Sequence, residues 1–376
     1  MSGFIAAAAD ETVARAEREL EALVAVSSPS GDRDGAEEAV AVAAALLPAQ
    51  AATQRLPCSS PGHADDLLAV LEGTGERRLL LLGHLDTVVS HDRHRPLERA
   101  GERLEGSGAI DMKGGVVLAL GVMRALAGVP EAFAQAALLL VCDEEWRRAA
   151  FAHAPRFAGW EACLCFEAGQ CGEAGEEGVV VRRKAACTLR VEAEGVSAHS
   201  GSAPDRGRNA LLALGAAAAC VASRHAPHGP DRLTVVPTIL RSGEAFNVVP
   251  DRGELYCDLR ADDEQAFAGV LDAVPRRHDG VSLRAETIRV WPGMNSRRAT
   301  AGALAGAGRR LGRPVAAMER GGASDASHLA TAIPLTIDGL GPRGGGAHSP
   351  REYVLTESLR PRAEVALALT AELLGL

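Results

Sequence analysis

Three stretches of this chain are apolar without a break, and each ends on side chains that can hold a cation. Residues 79–82 are four leucines that lead through Gly83 to His84 and Asp86. Residues 136–142 lead to Asp143, Glu144 and Glu145, and residues 163–166 lead to Glu167. Runs this short and continuous predict strands buried on both faces, as in the middle of a parallel sheet. Another strand is expected near 67–71. Elsewhere the apolar positions take helical spacing: residues 10–26, 34–47 (stopped by Pro48) and 116–126. The alternation predicts an α/β layer with a largely parallel sheet.

The texture changes after about residue 173. Strands are predicted at 179–181, 188–191, 233–240, 254–260 and 281–285, and helices at 205–223 and 262–274. A β-α-β-β-α-β order of this kind suits a small ferredoxin-like domain. From 292 the pattern returns to a helix (299–311), a buried strand (333–337), a glycine-rich loop through Gly346 and a final helix from Glu357. The expected fold class is α/β. A larger domain with a mostly parallel central sheet, residues 1–176 and 289–376, is interrupted by a smaller ferredoxin-like α+β domain at 177–288.

Composition narrows the setting. At 376 residues, two domains are expected. Aromatic residues are only 3%, so packing rests on Leu, Val and Ala. The net charge of −9, with Lys and Arg scattered, excludes nucleic acid as an expected partner. The eight cysteines are dispersed with no Cys-x-x-Cys pair, which argues against a structural zinc site and for a reduced, cytoplasmic setting. The first ten residues lack the basic start and sustained apolar core of an export signal, and no apolar run reaches the roughly 20 residues of a membrane helix. A membrane is therefore not an expected partner.

Ligands of open α/β sheets bind beyond the carboxyl ends of the strands. Parallel strands would bring His84, Asp86, the acidic residues at 143–145 and Glu167 to one edge. A glycine-rich turn, 106–115, adds Asp111, and the loop after a fourth strand adds His348 and Glu352. Four or more carboxylates beside two histidines need compensating positive charge if they are buried and ionised. Divalent metal supplies it; mixed histidine and carboxylate ligands suit zinc, and a shared aspartate can bridge two ions about 3.5–4 Å apart. A lone His-x-Asp fits a capped loop equally well.

The set Gly83-His84-Leu-Asp86-Thr87, Gly108-Ala-Ile-Asp111-Met-Lys113-Gly114, Asp143-Glu144-Glu145 and Phe166-Glu167 closely resembles the di-zinc amidohydrolases. That superfamily groups glutamate carboxypeptidase, aminoacylase, acetylornithine deacetylase and succinyl-diaminopimelate desuccinylase. The likeness covers nearly the whole chain in order. Asp111-Met-Lys-Gly-Gly115 and Gly321-Gly-Ala-Ser-Asp325-Ala326 look most similar to the glutamate carboxypeptidase branch, while glutamate at 167 is shared with desuccinylase-type members.

The resemblance implies two Zn2+ per chain, with Co2+ or Mn2+ as substitutes. Asp111 would bridge them, His84 and Glu167 completing one site and Glu145 and His348 the other. It also implies Glu144 as general base, Asp86 as the partner of the far nitrogen of His84, and a cis bond between Asp111 and Met112. In the inserted domain, Gly195-Val-Ser-Ala-His199-Ser-Gly201 marks His199 as the oxyanion-stabilising residue, often serving a partner subunit. Asn247 and Arg260 match positions that hold a substrate carboxylate, and a homodimer through the inserted domain is the family expectation. On their own residues, His199 reads as a loop histidine, Asn247 as a turn former, Arg260 as a partner of Asp258 or Asp262, and Asp325 as a helix cap. Histidines 63, 91, 94, 153, 225, 228, 278 and 328 read as surface or loop residues.

Two departures stand out. Trp146-Arg147-Arg148 replaces the Gly-Ser pair usual after Asp-Glu-Glu, which predicts a reshaped pocket or a new anion contact. Where glutamate-specific relatives place an arginine, this chain has Trp291, with Arg289 two residues earlier as the candidate substrate contact. The expected activity is zinc-dependent hydrolysis of an amide or peptide bond to an amino acid with a free carboxylate, on a small substrate. The alternatives are an N-acyl-amino-acid deacylase, a specialised amidohydrolase on a biosynthetic intermediate, and a non-catalytic binding homologue.

Overall fold

A computed structural model describes residues 3–349 and 351–376. The chain divides into two compact units: Met1–Arg182 with Asn295–Glu319 and Ser324–Leu376, and Arg183–Met294 with Arg320–Ala323.

Among the described residues, the larger unit is built on a six-stranded sheet. Its strands are β1 (Ala52–Leu56), β2 (Asp66–Glu72), β3 (Arg78–His84), β4 (Gln135–Val141), β5 (Ala162–Cys165) and β6 (Thr336–Ile337). The spatial order is β1-β2-β4-β3-β5-β6. Strands β4, β3, β5 and β6 run parallel, while β1 and β2 join antiparallel at one edge. The sheet is thus mixed, with its parallel part where the three apolar runs lie. Leu79, Leu81, Leu138, Leu140 and Leu164 enter the main apolar cluster. Leu80, Leu82, Leu139, Cys163 and Cys165, which point the other way along each strand, are equally buried. Each such leucine contributes about 1.5–3 kcal/mol of burial, which makes these strands a stiff base for whatever follows them.

The helices are α1 (Gly3–Ala25), α2 (Arg33–Ala45), α3 (Gly114–Ala127), α4 (Arg297–Leu311), α5 (Asp325–Ala330) and α6 (Thr356–Leu374). Helix α3 packs on β3 and β4, and α1 and α6 pack on α3. Gly115 decides how α3 enters. A Cβ there would lie 1.8 Å from the carbonyl oxygen of Phe166, so only glycine lets the helix start seat against the end of β5. That contact brings the turn carrying Asp111 to the strand end that leads to Glu167.

The smaller unit realises the β-α-β-β-α-β order. A five-stranded antiparallel sheet runs Thr234–Ser242, Arg252–Ala261, Ala185–Glu194, Val281–Trp291 and Arg277–His278. Helix Ala210–Ala222 packs on the first three of these strands. Asn209 caps it, its side-chain oxygen accepting the Leu212 N–H at 3.2 Å. The strand expected at 281–285 continues to Trp291, so Arg289 pairs with Thr188 and Trp291 with Ala186 inside the sheet. Residues 179–181 lie in strand Glu177–Arg183, which pairs with Gln170–Cys171 outside the ferredoxin-like sheet. No helix among the described residues is long and apolar enough to cross a membrane. All eight cysteines are free thiols.

Candidate metal centre and active site

His84 is the last residue of β3 and is buried. Its Nδ1 lies 3.0 Å from the backbone oxygen of Asp86 and 3.4 Å from that residue's carboxylate. With a proton on Nδ1 serving these two acceptors, Nε2 is the atom available to a metal. Nε2 in turn points at Asp111 Oδ1 (3.2 Å) and Glu167 Oε1 (3.8 Å). The Asp86 carboxylate is engaged mainly with the neighbouring strand end: it accepts the backbone N–H groups of Glu144 and Glu145 at 3.1 and 3.0 Å. Asp86 therefore orients the histidine and the Glu144–Glu145 corner together.

Two ligand sets share Asp111. His84, Asp111 and Glu167 form one, and Asp111, Glu145 and His348 the other; within each set the candidate ligand atoms lie within 4.8 Å of one another. His348 Nε2 is 3.1 Å from Asp111 Oδ2 and 3.2 Å from Glu145 Oε2. The peptide bond between Asp111 and Met112 is cis. All five residues proposed as ligands from the sequence thus come together.

The electrostatics call for added positive charge. Burial pushes the Glu144 carboxyl well above its usual range, and the acidic neighbours Asp325, Glu167 and Glu145 add to this, outweighing His84. Burial raises Glu145 as well. Burial would also raise Asp111, yet hydrogen bonds to His348 and His84 hold it well below the ordinary range. Hydrogen bonds to Asp111 and Glu145 lift His348 to about 10. Protons on histidine thus supply charge that a divalent ion supplies better, and Glu145 Oε1 is buried without a hydrogen-bond partner among the described residues. Two imidazoles and two glutamates around a shared aspartate fit a pair of first-row divalent ions.

The residues nominated in the smaller unit lie on its loops and on its sheet. His199 is exposed in the short strand Ala198–His199, which pairs with Val248–Val249. Its Nδ1 accepts the N–H groups of Gly201 and Ser202, both at 3.1 Å. The tautomer with its proton on Nε2 is therefore fixed, and Nε2 can only donate. Asn247 lies in the exposed turn before Val248, and its backbone oxygen accepts the Ser200 N–H at 2.9 Å. Arg260 is held by Asp258, at 3.0 Å through both Nε and a terminal nitrogen. Arg289 stacks its guanidinium over Trp291, 4.9 Å from the ring centroid.

The chain matches peptidase family M20/M25/M40 over residues 80–372. It belongs to that family. Its members are metal-dependent hydrolases of peptide and amide bonds, which makes this chain an enzyme of that class. Carboxypeptidase G2 of a Pseudomonas species (strain RS-16) is 26% identical over 94% of this chain and 88% of its own length. A succinyl-diaminopimelate desuccinylase of Gluconacetobacter diazotrophicus is also 26% identical, over 84% of this chain and 86% of its own. Among solved structures, the aminopeptidase PepT of Bacillus cereus has a TM-score of 0.77 at 19% identity, covering 96% of this chain and 98% of that one. Human carnosine dipeptidase 1 has a TM-score of 0.70 at 14% identity, covering 99% of each chain. These likenesses show that the chain shares the fold of those structures.

Several residues do more than their types suggested. Arg147 is not an open anion contact: it is 1% exposed and paired with Asp143 and Asp325. Its four-residue spacing from Asp143 was visible in the sequence, but Asp325 was not. Asp325, read as a cap, opens α5 and is buried against that arginine. His153 is no surface histidine; it is buried, with Nε2 at 2.7 Å from Asp66. Glu352 accepts three backbone N–H bonds from the Asp111 turn.

Proposed function

We propose that this chain is a di-zinc hydrolase that cleaves an amide or peptide bond to an amino acid with a free α-carboxylate, in the manner of a glutamate carboxypeptidase. The observation that carries the reading is the pair of ligand sets sharing Asp111, with Glu144 buried beside them. Asp111 would bridge two Zn2+; His84 and Glu167 would complete one site, and Glu145 and His348 the other. When bound, the ions would lower the pKa of water toward about 7 and polarise the scissile carbonyl.

The chain's own residues do the rest. Glu144, its carboxyl raised by burial, has the basicity to take a proton from the attacking water and to pass it to the leaving amine. Asp86 fixes both its position and that of Glu145 through their backbone N–H groups. His199, with its Nε2–H fixed as a donor, suits a developing oxyanion. Arg260 would exchange Asp258 for the substrate α-carboxylate, with Asn247 and Arg289 as further contacts.

The setting follows the same reading. Eight free thiols suit a cytoplasmic enzyme. The edge strand Thr234–Ser242 exposes Val236, Ile239 and Leu240, and helix Ala210–Ala222 exposes Leu211 and Leu212. Those apolar side chains on an unpaired edge support a homodimer through the inserted domain, 177–288.

An N-acyl-amino-acid deacylase is the second reading, favoured by Glu167 and by the equal identity to the desuccinylase. Turnover of dipeptides against N-acetyl and N-succinyl amino acids separates the two, and N-acyl-glutamate against apolar counterparts sets the side-chain preference. Chelator-sensitive hydrolysis with two zinc ions per chain is expected. Absence of both metal and amide hydrolysis across such a panel would overturn the reading.

A further inference from the structure

The corner that carries Glu144 and Glu145 is built around a buried arginine. Arg147 Nε and one terminal nitrogen reach Asp143 Oδ1 at 2.9 and 2.6 Å. The same terminal nitrogen reaches Asp325 Oδ2 at 2.9 Å, and the other meets Asp325 Oδ1. The guanidinium lies over Phe151, 4.8 Å from the ring centroid. Asp143 also accepts the Ser60 N–H at 2.9 Å, so the loop before β2 is tied to the same carboxylate.

Burying a guanidinium between two carboxylates is a poor way to gain stability, because desolvation cancels much of the attraction. What such a cluster provides is position: a rigid fork meets planar carboxylates in a narrow range of geometries. The position in question is local. Asp143 immediately precedes Glu144, and Arg147 follows Glu145 by two residues. The fork therefore closes the turn on itself and fastens it to the first residue of α5, which packs on β3 and β5. Asp86 holds the same corner from the side, through the Glu144 and Glu145 N–H groups. Trp146, between the held residues, is 56% exposed and takes no part in the anchoring core.

We propose that Arg147 is a positioning residue for the hydrolytic site, acting through Asp143 and Asp325 to hold the Glu144–Glu145 corner in its working geometry. The proposal rests on the reading of Glu144 as base and Glu145 as metal ligand. Within the bulky segment that follows the acidic triplet, Arg147 is thus the brace, and Asp325 is its far anchor.

The test compares the full chain with R147A, R147K, D325N and the R147A/D325N double variant. Metal affinity by titration with Zn2+, the visible spectrum of the Co2+-substituted protein, kcat, KM and Tm are measured for each. In R147A the affinity for one of the two ions is expected to weaken about tenfold or more and the cobalt spectrum to change. The kcat should fall about a hundredfold with KM within threefold. D325N should move every readout in the same direction by a smaller factor, and R147K should recover part of the loss. The double variant should be no worse than R147A within twofold. A folded R147A with wild-type cobalt spectrum, metal affinity and kcat overturns the proposal, as do losses in the double variant that multiply. If R147A does not fold, D325N decides: an unchanged spectrum and affinity there overturn the brace. The metal arms need no substrate, so they judge the brace even where the amide panel shows no turnover; that second failure bears on the functional reading alone.

Discussion

Glu352 Oε1 accepts the backbone N–H of Asp111 at 2.8 Å across 241 residues of sequence. The same oxygen accepts the Ile110 N–H at 2.8 Å, and Oε2 accepts that of Gly108 at 3.1 Å. One carboxylate, four residues beyond His348, thus grips the turn that presents the aspartate shared by both ligand sets. In Glu352→Ala three N–H groups of that turn lose their acceptor. A buried unsatisfied donor costs about 1–3 kcal/mol, so the variant should lose on the order of 3 kcal/mol or more of stability, read by denaturant unfolding. Metal affinity should fall with it. A variant within about 0.5 kcal/mol of the parent, binding metal normally, would show that the grip is incidental.

Lys113 lies next to this grip, buried, with its Nζ donating to the Val26 backbone oxygen at 2.8 Å. Burial lowers its pKa from 10.5 to about 8, with Glu352 and Asp86 opposing. A lysine with a depressed folded pKa favours the folded state above the unfolded pKa, and that contribution is lost as pH falls toward the folded one. The drop from 10.5 to about 8 corresponds to a cost on the order of 3 kcal/mol at neutral pH. Lys113→Met escapes this cost but gives up the bond to Val26. Its stability relative to the parent should therefore be greatest below about pH 8 and decline between about pH 8 and 10.5. Unfolding curves across that range check it, and a difference that does not vary with pH would contradict it.

How much of this was legible in the chain depends on the distance over which each feature is decided. The central strands announce themselves because burial on both faces leaves an unbroken apolar run, as at 79–82. Strand Ala52–Leu56 does not, since four of its five residues are exposed and backbone pairing with β2 alone defines it. The antiparallel entry of β2 into a largely parallel sheet was equally hidden, because strand direction leaves no mark on side-chain pattern. Val281–Trp291 was cut short since a bulge at Ile288, opposite Thr188 and Leu189, shifts the alternation by one residue while the backbone pairing continues. In the site, the ligands were readable as strand ends. The roles of Arg147 and Glu352 were not, because their partners Asp325 and Asp111 lie 178 and 241 residues away.

Glu144 and Glu145 are adjacent but face different tasks in the proposed mechanism, and a single substitution separates them. Glu144→Gln keeps the size and leaves the backbone N–H that Asp86 accepts. It removes the only function asked of the side chain, proton transfer, which is worth typically about 10²–10⁴-fold in rate. The kcat should fall by about that factor while both metals stay bound with near-parent affinity. Glu145→Gln should instead weaken one metal. Equal metal loss in both variants would mean that Glu144 is itself a ligand.

The protons on His348 make a final prediction about metal binding. Hydrogen bonds to Asp111 and Glu145 raise its pKa to about 10, so at neutral pH the ring is protonated before a metal arrives. A metal at Asp111, Glu145 and His348 must displace that proton, because only the neutral imidazole can ligate. Binding should therefore release about one proton from this residue at about pH 7, and the logarithm of affinity should rise by about one per pH unit on its account until pH nears about 10. Calorimetry of Zn2+ binding to chelator-stripped protein, in buffers of different ionisation enthalpy, counts those protons. His348→Ala should remove that proton from the count and leave the set of His84, Asp111 and Glu167 able to bind. A proton count unchanged by the substitution would mean that His348 does not meet the metal.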